Sequence, residues 1–434
     1  MRFLHVADIH LDSPMRHLRR MDDESHDDLI RCTRRALVNL VQFAVDPTNA
    51  IDFIVIAGDV FDGEWRDFQT GLFFQKQMLQ LKEAGIPVVA IRGNHDAQSK
   101  MIRDLTDWRD SIRFLDADRP QTLSARDLNL DCDVLIHGQS FREGAVPDNL
   151  AATYPAGDRG AFNLGLLHTS FAGFEGHDVY APCALDDLKR KEYGYWALGH
   201  IHLRQSLDGA AEEEACIRYA GNLQGRHVKE EGPKGAIVVD VDARQQVTSQ
   251  FIPFDVLRWK RLTVTVEPEW SRAKCLDAVE AAIKEAVAER EGRDLALRIT
   301  LAGRSAAHGE FARDVEKATA EIAELAYYVE REALWIESVR IRTKGAYDRD
   351  KLARDDGPAG EIVRWFDEAA DDGAFSLDDD ALAQLLKKLP RDLRESSVAE
   401  DDADEFVSPE RLKQLLPQAE ALLLDAILGD GEAR

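Results

Sequence analysis

Apolar residues in this chain recur with two different periods. Short, mainly apolar runs at residues 3–7, 53–57 and 87–91 have the look of strands buried on both faces. Between them, residues 27–45 and 68–82 carry a helical period, with Phe73, Gln77 and Leu81 along one face of the second segment. This order predicts a layered α/β domain with parallel neighbouring strands. Further strands are expected at 134–137, 162–167, 195–198 and 217–220, and a hairpin at 236–241 and 247–253 closes the pattern.

The pattern restarts near Trp259. Leu262, Val264 and Val266 alternate as in a strand, and Leu276, Val279, Ile283 and Val287 then share a helical face behind Ser271, a good N-cap. Alternation returns at Leu295, Leu297, Ile299 and Leu301, followed by a helix at 311–325 and a strand at 334–341, a second βαβαβ unit. Beyond Tyr347 only amphipathic helices are expected. Leu382, Leu385, Leu386 and Leu389 form one stripe that Pro390 stops, and Ser408-Pro409-Glu410 opens another that carries Leu412, Leu415, Leu416, Ala419, Leu422, Leu423 and Ile427. The expected division is 1–256, 257–346 and 347–434.

Charge and cysteine content narrow the picture. A formal net charge of −25 argues against a free-standing, non-specific nucleic-acid binder. The excess is uneven, because the stretch from Asp350 onward holds 23 acids against 10 bases. Five cysteines without a CxxC pair fit structural thiols in a reducing compartment. The chain opens directly on a strand, and no apolar run has the ~18 residues of a membrane span. A cytoplasmic protein, with no membrane association, is the expectation.

The chemistry lies in five short clusters: Asp8-Ile9-His10, Gly58-Asp59-Val60-Phe61-Asp62, Gly93-Asn94-His95-Asp96, Leu167-His168-Thr169 and Gly199-His200-Ile201-His202. The first three each end an apolar run, where an open α/β sheet gathers its chemistry. Five of the twelve histidines fall inside the clusters, which a scatter of core or capping histidines would not produce. Carboxylate, imidazole and amide oxygen together suit Mn²⁺, Fe²⁺ or Zn²⁺, and there are enough of them for two ions with open positions for water and substrate. The pattern points to a two-metal hydrolase of phosphate esters.

The order DxH, GDxxD, GNHD, H, GHxH resembles the calcineurin-like metallophosphoesterase superfamily over roughly residues 1–240. The openings ADIHLDSP and GDVFDGEW, with YAGNLQGRHVKEEGPKG at 219–235, are most similar to its bacterial DNA-repair exonuclease branch. Phe61, Gly63 and Asp96 depart from the GDxVDRG and GNHE of the protein phosphatases. The resemblance implies a sandwich of two mixed sheets flanked by helices, then a small α/β capping domain and a helical tail. It implies two divalent cations, most simply Mn²⁺, with Asp8, His10, Asp59 and His202 on one and Asp59, Asn94, His168 and His200 on the other. His95 matches the catalytic histidine and Asp62 the carboxylate that orients it. DNA as substrate, a coiled-coil ABC-type ATPase bound by the tail, a homodimer and a nucleoid location are implied in the same way.

Candidate phosphate contacts are Arg16, Arg19 and Arg20 after the first cluster, Arg92, Arg204, and Arg226, His227 and Lys229. Two other functions share these motifs: a phosphodiesterase of small nucleotides, and a non-catalytic scaffold of the same fold. The second βαβαβ unit and the helical tail favour DNA over a small substrate. The full set of cluster residues disfavours the scaffold.

Overall fold

The computed structural model describes residues 1–15, 18, 31–63, 68–98, 111–171 and 180–371, with 416, 417, 419–421, 423, 424, 427 and 428. Two compact units result: Met1–Arg261 with Val287–Arg298 and Glu330–Ser338, and Leu262–Ala286 with Ile299–Val329 and Val339–Arg434.

In the first unit, β1 (Arg2–Val6), β2 (Phe53–Ala57), β3 (Val88–Ile91) and β4 (Arg113–Phe114) run parallel. The hairpin β11 (Gly235–Val241) and β12 (Val247–Pro253) extends this sheet from the β1 edge, antiparallel. A second six-stranded sheet has the order β5 (Gln121–Ser124), β6 (Val134–Gly138), β7 (Phe162–His168), β8 (Tyr195–Gly199), β10 (Ile217–Tyr219), β9 (Gln205–Ser206), with both edges antiparallel and the centre parallel. The fold is therefore a sandwich of two mixed sheets flanked by helices.

Residues alternate between two cores along each central strand, which explains runs with so few polar positions. On β2, Phe53, Val55 and Ala57 enter the core between the sheets, and Ile54 and Ile56 enter the core under the helices α1 (Cys32–Val45) and α2 (Phe68–Glu83). Phe3 stacks on Phe53 at 5.0 Å across the β1–β2 pair. On β8, Tyr195 and Ala197 face the same inner core and Trp196 and Leu198 an outer one. The predicted start of α1 at residue 27 lies outside the described residues. Short helices α3 (Asn94–Gln98) and α4 (Leu185–Lys189) follow β3 and β7.

Downstream, β13 (Leu257–Val266), β14 (Asp294–Ser305) and β15 (Leu334–Gly345) form a three-stranded sheet. Helix α5 (Arg272–Ala288) starts as expected, with the Ser271 hydroxyl accepting from Lys274 N at 3.3 Å. Helices α6 (His308–Arg313) and α7 (Val315–Val329) share the predicted 311–325 segment. After β15 come α8 (Arg349–Ala353) and α9 (Pro358–Asp371). The leucine stripe at 382–389 lies outside the described residues. Of the second predicted tail helix, Leu424 packs on Ala359 and Val363, and Arg349 binds Glu420 at 2.7 Å, so this part packs on its own unit. No helix of the described residues is long and apolar enough to cross a membrane.

Candidate metal centre

Five loops converge at the strand ends. Asp8 and His10 follow β1, Asp59 and Asp62 follow β2, Asn94 and His95 follow β3, His168 ends β7, and His200 and His202 follow β8. Main-chain bonds weld the first two loops: Asp8 N donates to Gly58 O at 3.1 Å and His10 N to Asp59 O at 3.0 Å. The buried Asp96 ties the second loop to the third, accepting from Val60 N, Phe61 N and Gly93 N at 3.1, 2.9 and 3.2 Å. Sequence reasoning assigned Asp96 no role, since a carboxylate that collects backbone amides has no spacing signature. Asp8, His10, Asp59 and His200 all have left-handed backbone, with φ of 49°, 42°, 53° and 101°. Such conformations cost roughly 1–3 kcal/mol each and persist where surrounding contacts enforce them.

The side chains meet in three overlapping groups whose ligand atoms lie within 4.8 Å of one another: Asp8, His10 and His202; His10, Asp59 and His95; Asp8, Asp59 and His168. Asp59 sits between His10 Nε2 at 3.7 Å and His168 Nε2 at 3.4 Å. Asn94 Oδ1 joins at 3.0 Å from His168 Nε2. His200 enters differently. Its main-chain N–H donates to both Asp8 oxygens at 3.0 Å, and its ring lies edge-on to that of His168 at 5.3 Å, outside the three tight groups. Gly93 has no room for a side chain, since a Cβ there would overlap the Asp59 carboxylate and approach His168 Cε1 to 2.7 Å.

The hydrogen bonds assign the imidazole tautomers. His10 Nδ1 donates to Asp62 Oδ1 at 3.2 Å and His202 Nδ1 to Glu230 Oε1 at 2.7 Å, so Nε2 is the nitrogen each ring offers as a lone pair, and the two lie 3.2 Å apart. A divalent cation held by both rings would satisfy the two lone pairs. His168 repeats the theme: Nδ1 donates to Ala57 O at 2.9 Å, and Nε2 faces Asn94 Oδ1 and Asp59.

Electrostatics agree. Burial, reinforced by Arg226, pushes His10 down to about 3 and keeps it neutral. Burial also disfavours charge on His168, yet Asp59 and Asp8 outweigh it and raise the ring to about 9. A field that draws a proton onto a buried imidazole also draws a divalent cation, which competes for the same lone pair. Asp59 shows the reverse balance, its burial being outweighed by the His168, His10 and His95 imidazoles, which hold it well below the usual carboxylate range.

Asp62 serves two rings. Its Oδ1 lies 3.2 Å from His10 Nδ1 and 3.4 Å from His95 Nδ1, and Ser13 Oγ donates to Oδ2 at 2.9 Å. The expected pairing with His95 is thus shared with a cluster histidine. His95 is the accessible ring: its side chain is 38% exposed, against 0% for His10 and His168. Glu230, unassigned from the sequence, holds His202 and accepts from Asn222 Nδ2 at 2.8 Å and Arg226 N at 2.7 Å. Burial opposes its charge, but His202, Arg226 and His227 outweigh that and keep its carboxyl well below the usual range. Its signal in the sequence was only its place in the GRHVKEEG segment.

Of the candidate phosphate contacts, Arg226 reaches the cluster. Arg204 is committed to Glu212 and lies over the Phe251 ring at 4.1 Å. Arg16, Arg19 and Arg20 lie outside the described residues.

Residues 1–204 match the calcineurin-like phosphoesterase family, and residues 259–344 match the family described as metallophosphoesterase YhaO, middle domain. The metallophosphoesterase YhaO of Bacillus subtilis is 33% identical over 303 residues, covering 69% of this chain and 71% of that protein. The chain belongs to the calcineurin-like phosphoesterase family. This phosphoesterase is also 26% identical over 255 residues to the DNA double-strand break repair protein Mre11 of Sulfurisphaera tokodaii, covering 55% of this chain and 59% of that one. To a component of the nuclease SbcCD of Staphylococcus saprophyticus it is 22% identical over 282 residues, covering 59% and 70%. As a family member it is a metal-dependent hydrolase of phosphoester bonds, and its facing lone pairs and buried carboxylates form a donor set that fits divalent metal.

Proposed function

We propose that this phosphoesterase is a Mn²⁺-dependent DNA exonuclease, also able to cut single strands, that acts in DNA repair in the cytoplasm at the nucleoid. The reading is carried by the accessible His95 beside a largely buried cluster of carboxylates and imidazoles, in a chain similar to Mre11 and to a component of the nuclease SbcCD. Asp8, His10, Asp59 and His202 would hold one ion, and Asp59, Asn94, His168 and His200 the other. Divalent cations there supply a hydroxide nucleophile near neutral pH and neutralise charge on the phosphate.

The protein's own groups do the rest. The buried Asp59 and Asp8 compensate cation charge, and the main-chain bonds between loops keep the donors in place without reorganisation. His95 protonates the departing sugar oxygen, and Asp62, through Nδ1, keeps that imidazole turned toward the site. Residues 257–346 are assigned to DNA selection and residues 347–434 to a coiled-coil ABC-type ATPase, with a homodimer as the working unit. The limits 1–256, 257–346 and 347–434 belong to this proposal. The self-packed Glu420 and Leu424 leave the 382–389 stripe as the main candidate for the ATPase contact.

Digestion of end-labelled duplex and single-stranded DNA with Mn²⁺, beside a bis-aryl phosphodiester, tests the reading. Stepwise shortening of DNA is expected. Cleavage of the small diester with intact DNA would favour a small-nucleotide phosphodiesterase.

A further inference from the structure

Arg226 is a side chain beside the cluster whose bonding is incomplete among the described residues. Its backbone N–H is anchored on Glu230 Oε2 at 2.7 Å, which fixes where the side chain begins. The guanidinium then runs along the border of the cluster: Nη1 lies 3.4 Å from Asp62 Oδ1 and 3.4 Å from Ser13 Oγ, and Nη2 lies 3.3 Å from His202 Nδ1 and 3.7 Å from Glu230 Oε1. All four distances exceed those of ordinary charge-assisted hydrogen bonds.

Its neighbours are satisfied without it. Asp62 Oδ1 has His10 at 3.2 Å, Asp62 Oδ2 has Ser13 at 2.9 Å, and Glu230 Oε1 has His202 at 2.7 Å. His202 Nδ1 spends its proton on Glu230, so it offers Nη2 no lone pair. Nε of Arg226 is buried and has no acceptor among the described residues. Guanidinium carries five N–H donors in a rigid fork. A side chain only 15% exposed that holds so many donors at long range is short of an anionic acceptor.

We propose that Arg226 binds the substrate, its guanidinium donating to a non-bridging oxygen of the phosphodiester held at the metal cluster. The proposal rests on the phosphoester-cleaving reading above. The same guanidinium lies beside Asp62, which also pairs with His95, and beside His202, so it stands next to both a cluster histidine and the accessible ring's partner. A tetrahedral phosphate offers the paired acceptors that the fork lacks. The long bonds to Asp62 and Ser13 are cheap to exchange for short ones to phosphate. Arg204, tied to Glu212, has no such freedom.

The test uses the full chain loaded with Mn²⁺, comparing wild type with Arg226→Gln, Arg226→Lys and Arg226→Ala. Metal content is read by elemental analysis, inorganic phosphate binding by calorimetry, and KM and kcat with bis(4-nitrophenyl) phosphate. Arg226→Gln is expected to keep its metal, bind phosphate about 10–100-fold more weakly and show a raised KM, as loss of charged hydrogen bonds predicts. The lysine variant should be intermediate, and added guanidinium ion should restore part of the activity of Arg226→Ala. Wild-type phosphate affinity and KM in Arg226→Gln would overturn the proposal alone. So would loss of metal without guanidinium rescue, which would make Arg226 a strut for Asp62 and Glu230. A wild type that neither binds phosphate nor cleaves the diester would overturn the phosphoesterase reading together with it.

Discussion

The hydroxyl of Tyr195 meets Nδ1 of His5 at 3.1 Å between the two sheets of the sandwich. His5 sits on β1 and Tyr195 on β8, and the other ring nitrogen, Nε2, lies 3.1 Å from the Leu198 carbonyl. A carbonyl can only accept, so Nε2 carries the proton and Nδ1 accepts from the tyrosine. One neutral imidazole thus joins the sheets, two residues ahead of the His200 loop.

Burial pushes His5 down to about 3, against 6.5 for an unconstrained histidine. Between these values the unfolded chain binds a proton that the folded chain does not. The contribution of His5 is therefore complete above about pH 6.5 and falls as the solution is acidified, by up to about 1.4 kcal/mol per pH unit, until about pH 3. His5→Gln lacks this dependence. Urea unfolding at pH 7.5 and pH 5 should show the wild type losing about 2 kcal/mol more than the variant over that interval. Equal losses would show that the ring already carries a proton in the fold.

Glu230→Gln is expected to weaken metal binding by about 10–100-fold while leaving the fold intact, because the carboxylate that sets the His202 tautomer becomes a neutral amide. Mn²⁺ titration of the metal-free protein by calorimetry checks this. Unchanged affinity would confine Glu230 to holding Asn222 and the backbone of Arg226.

His95→Ala should separate binding from chemistry. Its ring is the exposed one, and its backbone N–H still donates to Asp59 Oδ1 at 3.0 Å whatever the side chain. Metal content should therefore be preserved while the turnover of a phosphodiester drops by about 10²–10⁴-fold. Elemental analysis beside kcat measures both, and a near-normal kcat would remove His95 from the proton transfer.

The sequence disclosed the skeleton well because its signals are local. The β2 strand at 53–57 and the β12 strand at 247–253 occur where the apolar runs place them. Ser271 caps α5 because an N-cap needs only a hydroxyl and a free backbone amide three residues on. Asp96 and Glu230 stayed hidden because their partners are backbone amides and a ring held by the fold, not residues at a recurring spacing. Asp62 was legible as a partner of His95, but its closer bond to His10 depends on how the β1 and β2 loops lie together.

By itself the sequence determined which side chains carry the chemistry and which strand ends present them, since residue type and chain order are covalent facts. Only the tertiary structure decided their grouping. Asp8 and His200, far apart in the chain, come within 3.0 Å because parallel strands of two sheets deliver their loops to one edge. The left-handed backbone at Asp8, His10, Asp59 and His200 was likewise invisible, because no local preference of Asp or His demands it. Packing of the surrounding loops imposes it, and with it the direction in which each donor points.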